Sequence, residues 1–258
     1  MCPVLIQLGL LSIKTYGLFV IIGFLAALFY IKRKAHKYNF SDEFVYDLAF
    51  WALFSGILGA RITYILLDIK YFIGNPLEMF MIWKGGLVYY GGLLGGILGG
   101  IAIIYKYRIY NWKKVADVLS PSIALAHAFG RIGCFFAGCC YGKITSSKIG
   151  ITFSHPESFA PAGVSVYPTQ LMEAFGNILI FLFLNYKLGK EKYEGQIFTL
   201  YILLYALLRF INEFFRGDYR GPELFSVTLL QWVSLGLFAA AMIFLLKGGM
   251  RSPKKSES

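Results

Sequence analysis

Apolar residues run along this chain in long blocks closed by charged residues, mostly Lys. The blocks are too long for strands and too uniform for the one-sided stripe of a soluble helix. Two are uninterrupted: Gly85–Tyr105, between Lys84 and Lys106, and Leu224–Leu246, between Glu223 and Lys247. Tyr16–Ile31, bounded by Lys14 and Lys32, is a third, at the short end of what a bilayer requires. Residues 44–67, 116–138, 169–186 and 196–215 also have spanning length but contain ionisable side chains. The pattern predicts an all-α integral membrane protein with about seven transmembrane helices, near 16–31, 44–67, 85–105, 116–138, 169–186, 196–215 and 224–246. They form one polytopic domain over 1–258, with a short extracytoplasmic head at 139–168. Met1–Lys14 lacks the basic region and cleavage site of a signal peptide, and Cys2 follows Met1 too closely to be a lipidated signal-peptide cysteine.

Composition agrees with the pattern. Of 258 residues, 57% are hydrophobic and 15% charged, with a mean hydropathy of +0.62, whereas soluble domains carry about 25% charged residues. Soluble, collagen-like, disordered and small disulfide-scaffold classes are excluded. Basic residues then set the orientation, because they accumulate on the cytoplasmic side. With seven spans, the loops 32–43, 105–115 and 187–195 and the C-terminal tail share one side and hold fifteen Lys and Arg; the other side holds seven. The N-terminus is therefore expected outside and the C-terminus in the cytoplasm. The net charge of +11 reads as a topology signal, with no case for nucleic-acid binding.

Three arginines remain, Arg61, Arg131 and Arg209, all inside spans, where an ionisable side chain is costly and a functional candidate by default. At 1.5 Å per residue they lie roughly 20–25 Å up their helices, in the outer half of the bilayer core. Glu173, Tyr16 and Tyr90 open their spans from the outer side, and Glu213 stands one turn beyond Arg209. The layer holds three positive charges against at most two negative ones, and guanidinium forks suit phosphate. An outer-leaflet lipid headgroup is the expected anion. The bland alternative is an Arg209–Glu213 pair within one helix and an Arg131 that snorkels outward.

Gly91, Gly95 and Gly99 form one stripe at spacing four, with Gly92, Gly96 and Gly100 beside it; such stripes let helix backbones approach closely. Gly85-Gly86 and Gly91-Gly92 bracket Leu87-Val88-Tyr89-Tyr90, a place for the helix start to break. Residues 130–142, Gly-Arg-Ile-Gly-Cys-Phe-Phe-Ala-Gly-Cys-Cys-Tyr-Gly, end a span on the outer side with four glycines and three cysteines, one turn after His127. That backbone suits an anion-binding turn. Cys134, Cys139 and Cys140 leave several options open: metal ligands, although no C-x-x-C pair is present; a disulfide; transient acceptors of an acyl or alkyl group; or small buried residues.

The segment 130–142 resembles the signature of the bacterial phosphatidylglycerol–prolipoprotein diacylglyceryl transferases, approximately G-R-x-G-N-F-x-N-G-E-x-x-G, in its glycines, arginine and phenylalanine. The resemblance runs along nearly the whole chain. Thr15-Tyr16-Gly17 resembles the family's first-span motif, and Gly59-Ala60-Arg61-Ile62-Thr63-Tyr64 its G-G/A-R-x-x-Y. Tyr90-Gly91-Gly92-Leu93 is similar to H-G-G-[LM], Tyr167-Pro168-Thr169-Gln170-Leu171-Met172-Glu173 to H-P-[ST]-Q-L-Y-E, and Arg209–Arg216 to R-x-x-x-E-F-x-R. Tyr90 stands where the family has His, Cys134 and Ala137 where it has Asn, and Cys139 where it has Glu.

The resemblance implies transfer of a diacylglyceryl group from phosphatidylglycerol to the thiol of a lipobox cysteine in a prolipoprotein. The reaction forms a thioether in the bacterial plasma (inner) membrane and uses no cofactor or metal. Expected catalytic residues are Arg131 and Arg209 on the departing phosphate, with Glu213 the first candidate base and Tyr90 and His127 behind it. Expected substrate-binding residues are Tyr16, Arg61, His127, Cys134, Cys139, Gly142, Gln170 and Glu173. Competing readings are a divergent paralogue with another thiol or lipid acceptor, a non-catalytic lipid-binding or transport protein, and a thiol-redox membrane enzyme.

Overall fold

Each of the seven apolar blocks folds as a helix. The structure is a computed structural model and describes residues 3–8, 11–108, 111–218, 223–224 and 227–248. Cys2, Arg220 and the tail residues Arg251, Lys254 and Lys255 lie outside them. The helices are α1 (Thr15–Ala35), α2 (Asp42–Leu67), the short α3 (Ile69–Gly74), α4 (Tyr89–Lys106), α5 (Trp112–Ala137), α6 (Thr169–Lys187), α7 (Gln196–Glu213) and α8 (Leu229–Gly248). Three antiparallel strand pairs accompany them: β1 (Val4–Leu8) with β2 (Leu11–Lys14), β3 (Ile151–Thr152) with β4 (Ser165–Val166), and β5 (Glu223–Leu224) with β6 (Val227–Thr228). Helices α1, α2, α5, α7 and α8 are long and apolar enough to cross a membrane, which makes this a helical membrane protein. Helix α4 is diluted by six glycines, and α6 by Gln170, Glu173, Asn177 and Asn185. Two boundaries move from their expected places. Helix α4 starts at Tyr89 rather than Gly85, and α8 starts at Leu229 because β5 and β6 occupy the preceding residues.

The chain divides into two compact units, residues 31–112 and residues 1–30 with 113–258. In the first, Ser41 caps α2 by accepting the Phe44 N–H at 3.2 Å, and Asp42 and Glu43 favour the positive end of the helix dipole. Helices α2 and α4 then pack backbone to backbone. A Cβ added at Gly91, Gly95 or Gly99 would overlap α2 at Gly59, Thr63 or Ser55, whereas one at Gly100 meets only Leu48 at 3.7 Å. The first glycine stripe is the line of closest contact, with Gly92 and Gly96 beside it facing the α2 carbonyls of Gly56 and Ala52 at 3.4 and 3.3 Å. Gly85 and Gly86 take left-handed φ angles of 90° and 77° and break the helix start, as the bracketing glycines led one to expect.

In the second unit, Pro121 sits inside α5, with the hydroxyls of Ser120 and Ser122 donating to Ala116 O (2.7 Å) and Leu119 O (2.6 Å) beside it. Asp117, buried on the same helix, accepts the Gly195 N–H (2.7 Å) and the Phe198 N–H (2.8 Å), capping α7 from a neighbouring helix. Helices α6 and α8 both pack on α7. The head carries its own small core of Phe153, Ala160 and Val166, against which Phe135, Tyr141 and Ile151 pack.

Candidate active site

Three helices of the second unit each present a polar stripe at helical spacing. They are His127, Arg131 and Cys134 on α5; Gln170, Glu173 and Asn177 on α6; and Tyr205, Arg209, Asn212 and Glu213 on α7. The stripes converge on Glu173, which has no solvent exposure. Its Oε1 pairs with Arg131 Nη2 at 2.9 Å and lies 3.8 Å from His127 Nε2. Its Oε2 accepts from Arg209 Nη1 at 3.3 Å and from Asn212 Nδ2 at 3.0 Å, and the Tyr205 hydroxyl reaches Oε1 at 3.5 Å. A buried carboxylate is tolerable only with such partners, and here one anion bridges two guanidiniums. Arg131 Nε also donates to His127 Nε2 at 3.3 Å, which leaves the imidazole proton on Nδ1.

Glu213 is engaged on both oxygens. Oε2 pairs with Arg209 Nη2 at 2.8 Å, and Oε1 accepts from the Thr228 hydroxyl at 3.1 Å. The Arg209–Glu213 pair within one helix therefore exists, and Arg209 is in addition held across helices by Glu173. Among the described residues, Arg131 Nη1 and Arg209 Nε take part in no bond, so each guanidinium keeps donors beyond the ring.

The segment after α5 closes over one side of this ring. Gln170 Nε2 donates to Cys139 O and Thr169 Oγ1 to Cys140 O, both at 2.7 Å. Gly133 lets α1 come close, since a Cβ there would stand 3.1 Å from Phe19 Cβ and 3.2 Å from Tyr16 O. The Tyr16 hydroxyl thereby comes within electrostatic range of Arg131, Cys134, Cys139 and Cys140. Gly142, expected to touch substrate, instead lies between backbones. Its N–H donates to Tyr167 O at 3.0 Å, it bridges to Arg216, and a Cβ would strike both Tyr167 and Phe215. Arg216, which the charge count had assigned to a loop, is buried and makes a bidentate pair with Asp218 at 3.0 and 2.7 Å. Burial pushes the Asp218 carboxyl above its ordinary value, against the pull of Arg216.

Arg61 and Tyr90 belong to the other unit. Arg61 was expected beside a lipid phosphate, yet its guanidinium is committed to backbone carbonyls: Nε to Met79 O (2.9 Å), Nη1 to Gly85 O (2.8 Å) and Gly86 O (3.2 Å), and Nη2 to Glu78 O. It clamps the segment that enters α4. Tyr90 stands 60% exposed on α4. Sequence reasoning passed over Tyr205, Asn212, Thr169 and Thr228. The first two were available as the i−4 and i+3 neighbours of Arg209 on one helical face, and Thr169 as the [ST] position of the motif over 167–173; Thr228 has no sequence signal beyond a hydroxyl at a helix start.

A helical membrane protein with a carboxylate-bridged arginine pair buried among its spans is the class that these features define. The profile of the prolipoprotein diacylglyceryl transferases matches residues 3–247. The chain is 38% identical over 238 residues to the phosphatidylglycerol–prolipoprotein diacylglyceryl transferase of Clostridium tetani (strain Massachusetts / E88), covering 91% of this chain and 93% of that one. It is 37% identical over 240 residues to phosphatidylglycerol–prolipoprotein diacylglyceryl transferase 2 of Clostridium perfringens (strain 13 / Type A), covering 93% and 90%. With the Geobacter sulfurreducens transferase it shares 36% over 248 residues, 95% and 92% of the two chains. The chain belongs to the prolipoprotein diacylglyceryl transferase family.

Proposed function

We propose that the protein transfers a diacylglyceryl group from phosphatidylglycerol to the thiol of a prolipoprotein's lipobox cysteine. The observation that carries this reading is the buried Arg131–Glu173–Arg209 bridge. Glu173 fixes both guanidiniums while leaving them donors to spare, and preorganised cations in a dry site stabilise a phosphate as it departs. The acceptor sulfur attacks the glycerol carbon, the C–O bond to phosphate breaks, and the phosphate leaves with the bonding pair. Glu213, engaged by Arg209 and Thr228, acts by orienting Arg209. The thiol proton passes instead to His127 Nε2, the unprotonated imidazole nitrogen beside Arg131. Tyr16, Gln170, Cys134 and Cys139 line the approach to the ring.

In this reading α1, α2 and α4 to α8 all cross the bacterial plasma membrane, N-terminus outside and C-terminus in the cytoplasm. The basic residues concentrated in 32–43, 105–115, 187–195 and the tail support it.

The test supplies labelled phosphatidylglycerol and a lipobox peptide to membranes that contain the protein. Label should move to the peptide thiol. Arg131→Ala and Arg209→Ala should each lower turnover by about 10²-fold or more while the protein still inserts. Absence of transfer beside an active Clostridium tetani relative would overturn the assignment, and full activity in both variants would overturn the phosphate clamp.

A further inference from the structure

From the three thiols that follow Arg131 on the chain, we infer that Cys134, Cys139 and Cys140 form a binding site for one thiophilic divalent cation of the zinc type. All three are free and half-buried, and their Sγ atoms lie within 4.8 Å of one another. Zinc–sulfur bonds of about 2.3 Å at the tetrahedral angle place sulfurs about 3.8 Å apart. The cluster therefore needs only side-chain rotation to close on an ion.

The backbone around the thiols is built to hold them. Cys134 is anchored in the last turns of α5, Cys139 Sγ sits 3.7 Å from Cys134 O, and Gln170 and Thr169 fix the Cys139 and Cys140 carbonyls at 2.7 Å. Cys140 has φ 61°, in the left-handed region, one of two non-glycine residues there among those described. A strained backbone at a clamp is a common cost of aiming a side chain. Gln170, 1% exposed, keeps its Oε1 without a protein donor, so an acceptor is available beside the thiols for a ligand that carries a proton. Charge fits as well. Three thiolates around a dication leave one negative charge, and the guanidiniums of Arg131 and Arg216 both act on the Cys140 sulfur.

Three protein sulfurs leave the fourth tetrahedral corner to an outside ligand. On the reading given under Proposed function, that corner would take the acceptor sulfur as a thiolate, its proton passing to His127 Nε2 as in that reading. The metal-bound sulfur then forms the C–S bond as the C–O bond to phosphate breaks. The metal site itself does not depend on that reading, and its test reads no turnover.

The experiment uses the full chain in detergent, with Cys2→Ser to remove the remaining cysteine, purified under reduction and exposed to Zn²⁺ or Co²⁺. We expect about one zinc per chain by elemental analysis, and with Co²⁺ the near-ultraviolet sulfur-to-metal band together with intense visible bands of tetrahedral coordination. Cys134→Ser, Cys139→Ser and Cys140→Ser should each weaken binding by at least ~10-fold, since losing even an outer-shell partner costs about that much. The wild-type cobalt spectrum decides the matter if a variant fails to fold. Three alkylatable thiols with neither zinc nor a sulfur–cobalt band would overturn the proposal. So would a metal-free protein, purified in parallel without reductant, in which two thiols react only after reduction, which would identify a disulfide instead.

Discussion

Glu173 carries a charge into a position with no solvent exposure, and it does so because Arg131, Arg209 and Asn212 surround it. The arrangement is asymmetric. Glu173 serves two guanidiniums, whereas Glu213 serves one that already has another partner. Glu173→Gln keeps the shape and removes the shared anion, leaving two buried cations imperfectly paired. Breaking a buried pair from one side costs about 3–5 kcal/mol. Thermal unfolding in detergent should therefore show a clear drop in midpoint for Glu173→Gln and a smaller one for Glu213→Gln, with transfer activity falling in both. Equal midpoints for the two variants would mean that the bridge is not what holds the guanidiniums.

Polar residues on otherwise apolar helices were legible one by one, because nothing else in such a helix can disguise them. Arg131, Glu173, Arg209 and Glu213 all stood out on that ground. Their partnership was less legible, since rise per residue gives height along a helix but not the direction a side chain takes. Arg61 shares the calculated depth of Arg131 and Arg209, yet its donors go to the carbonyls of 78–86, a segment that the sequence left without assigned structure. The glycine stripes were read correctly as a packing surface, and the structure distinguishes between them. At Gly91, Gly95 and Gly99 an added Cβ would overlap α2 at 2.4 Å or less, whereas at Gly92 and Gly96 it would meet the α2 carbonyls of Gly56 and Ala52 at 3.4 and 3.3 Å. Gly95→Val should destabilise the protein by about 1–3 kcal/mol or more, because two helix backbones would have to part. Gly100→Ala, facing Leu48 at ordinary contact distance, should leave the melting midpoint nearly unchanged. A tolerated Gly95→Val would remove the case that α2 and α4 depend on close approach.

Topology joins the residue and element scales, because the reaction has to take place on one face of the membrane. Seven crossing helices, as proposed, would leave the two ends of the protein on opposite sides. The head at 139–168, the ends of α5 and α7 and the start of α6 would then share the outer face, where Arg131, Glu173 and Arg209 lie near the termini of their helices. The basic loops 32–43, 105–115 and 187–195 would share the inner one. If only the five most apolar helices crossed, neither α4 nor α6 would span, and α5 and α7 would become successive spans that end on opposite faces. Single added cysteines discriminate the two arrangements, read against the same chain with its native thiols only. A cysteine at Lys148 in the head should react with a membrane-impermeant maleimide on intact cells. One at Lys190, between α6 and α7, should react only after the membrane is opened. Labelling of Lys190→Cys from outside would put both ends of α6 on one face, and the seven-span arrangement would have to be given up.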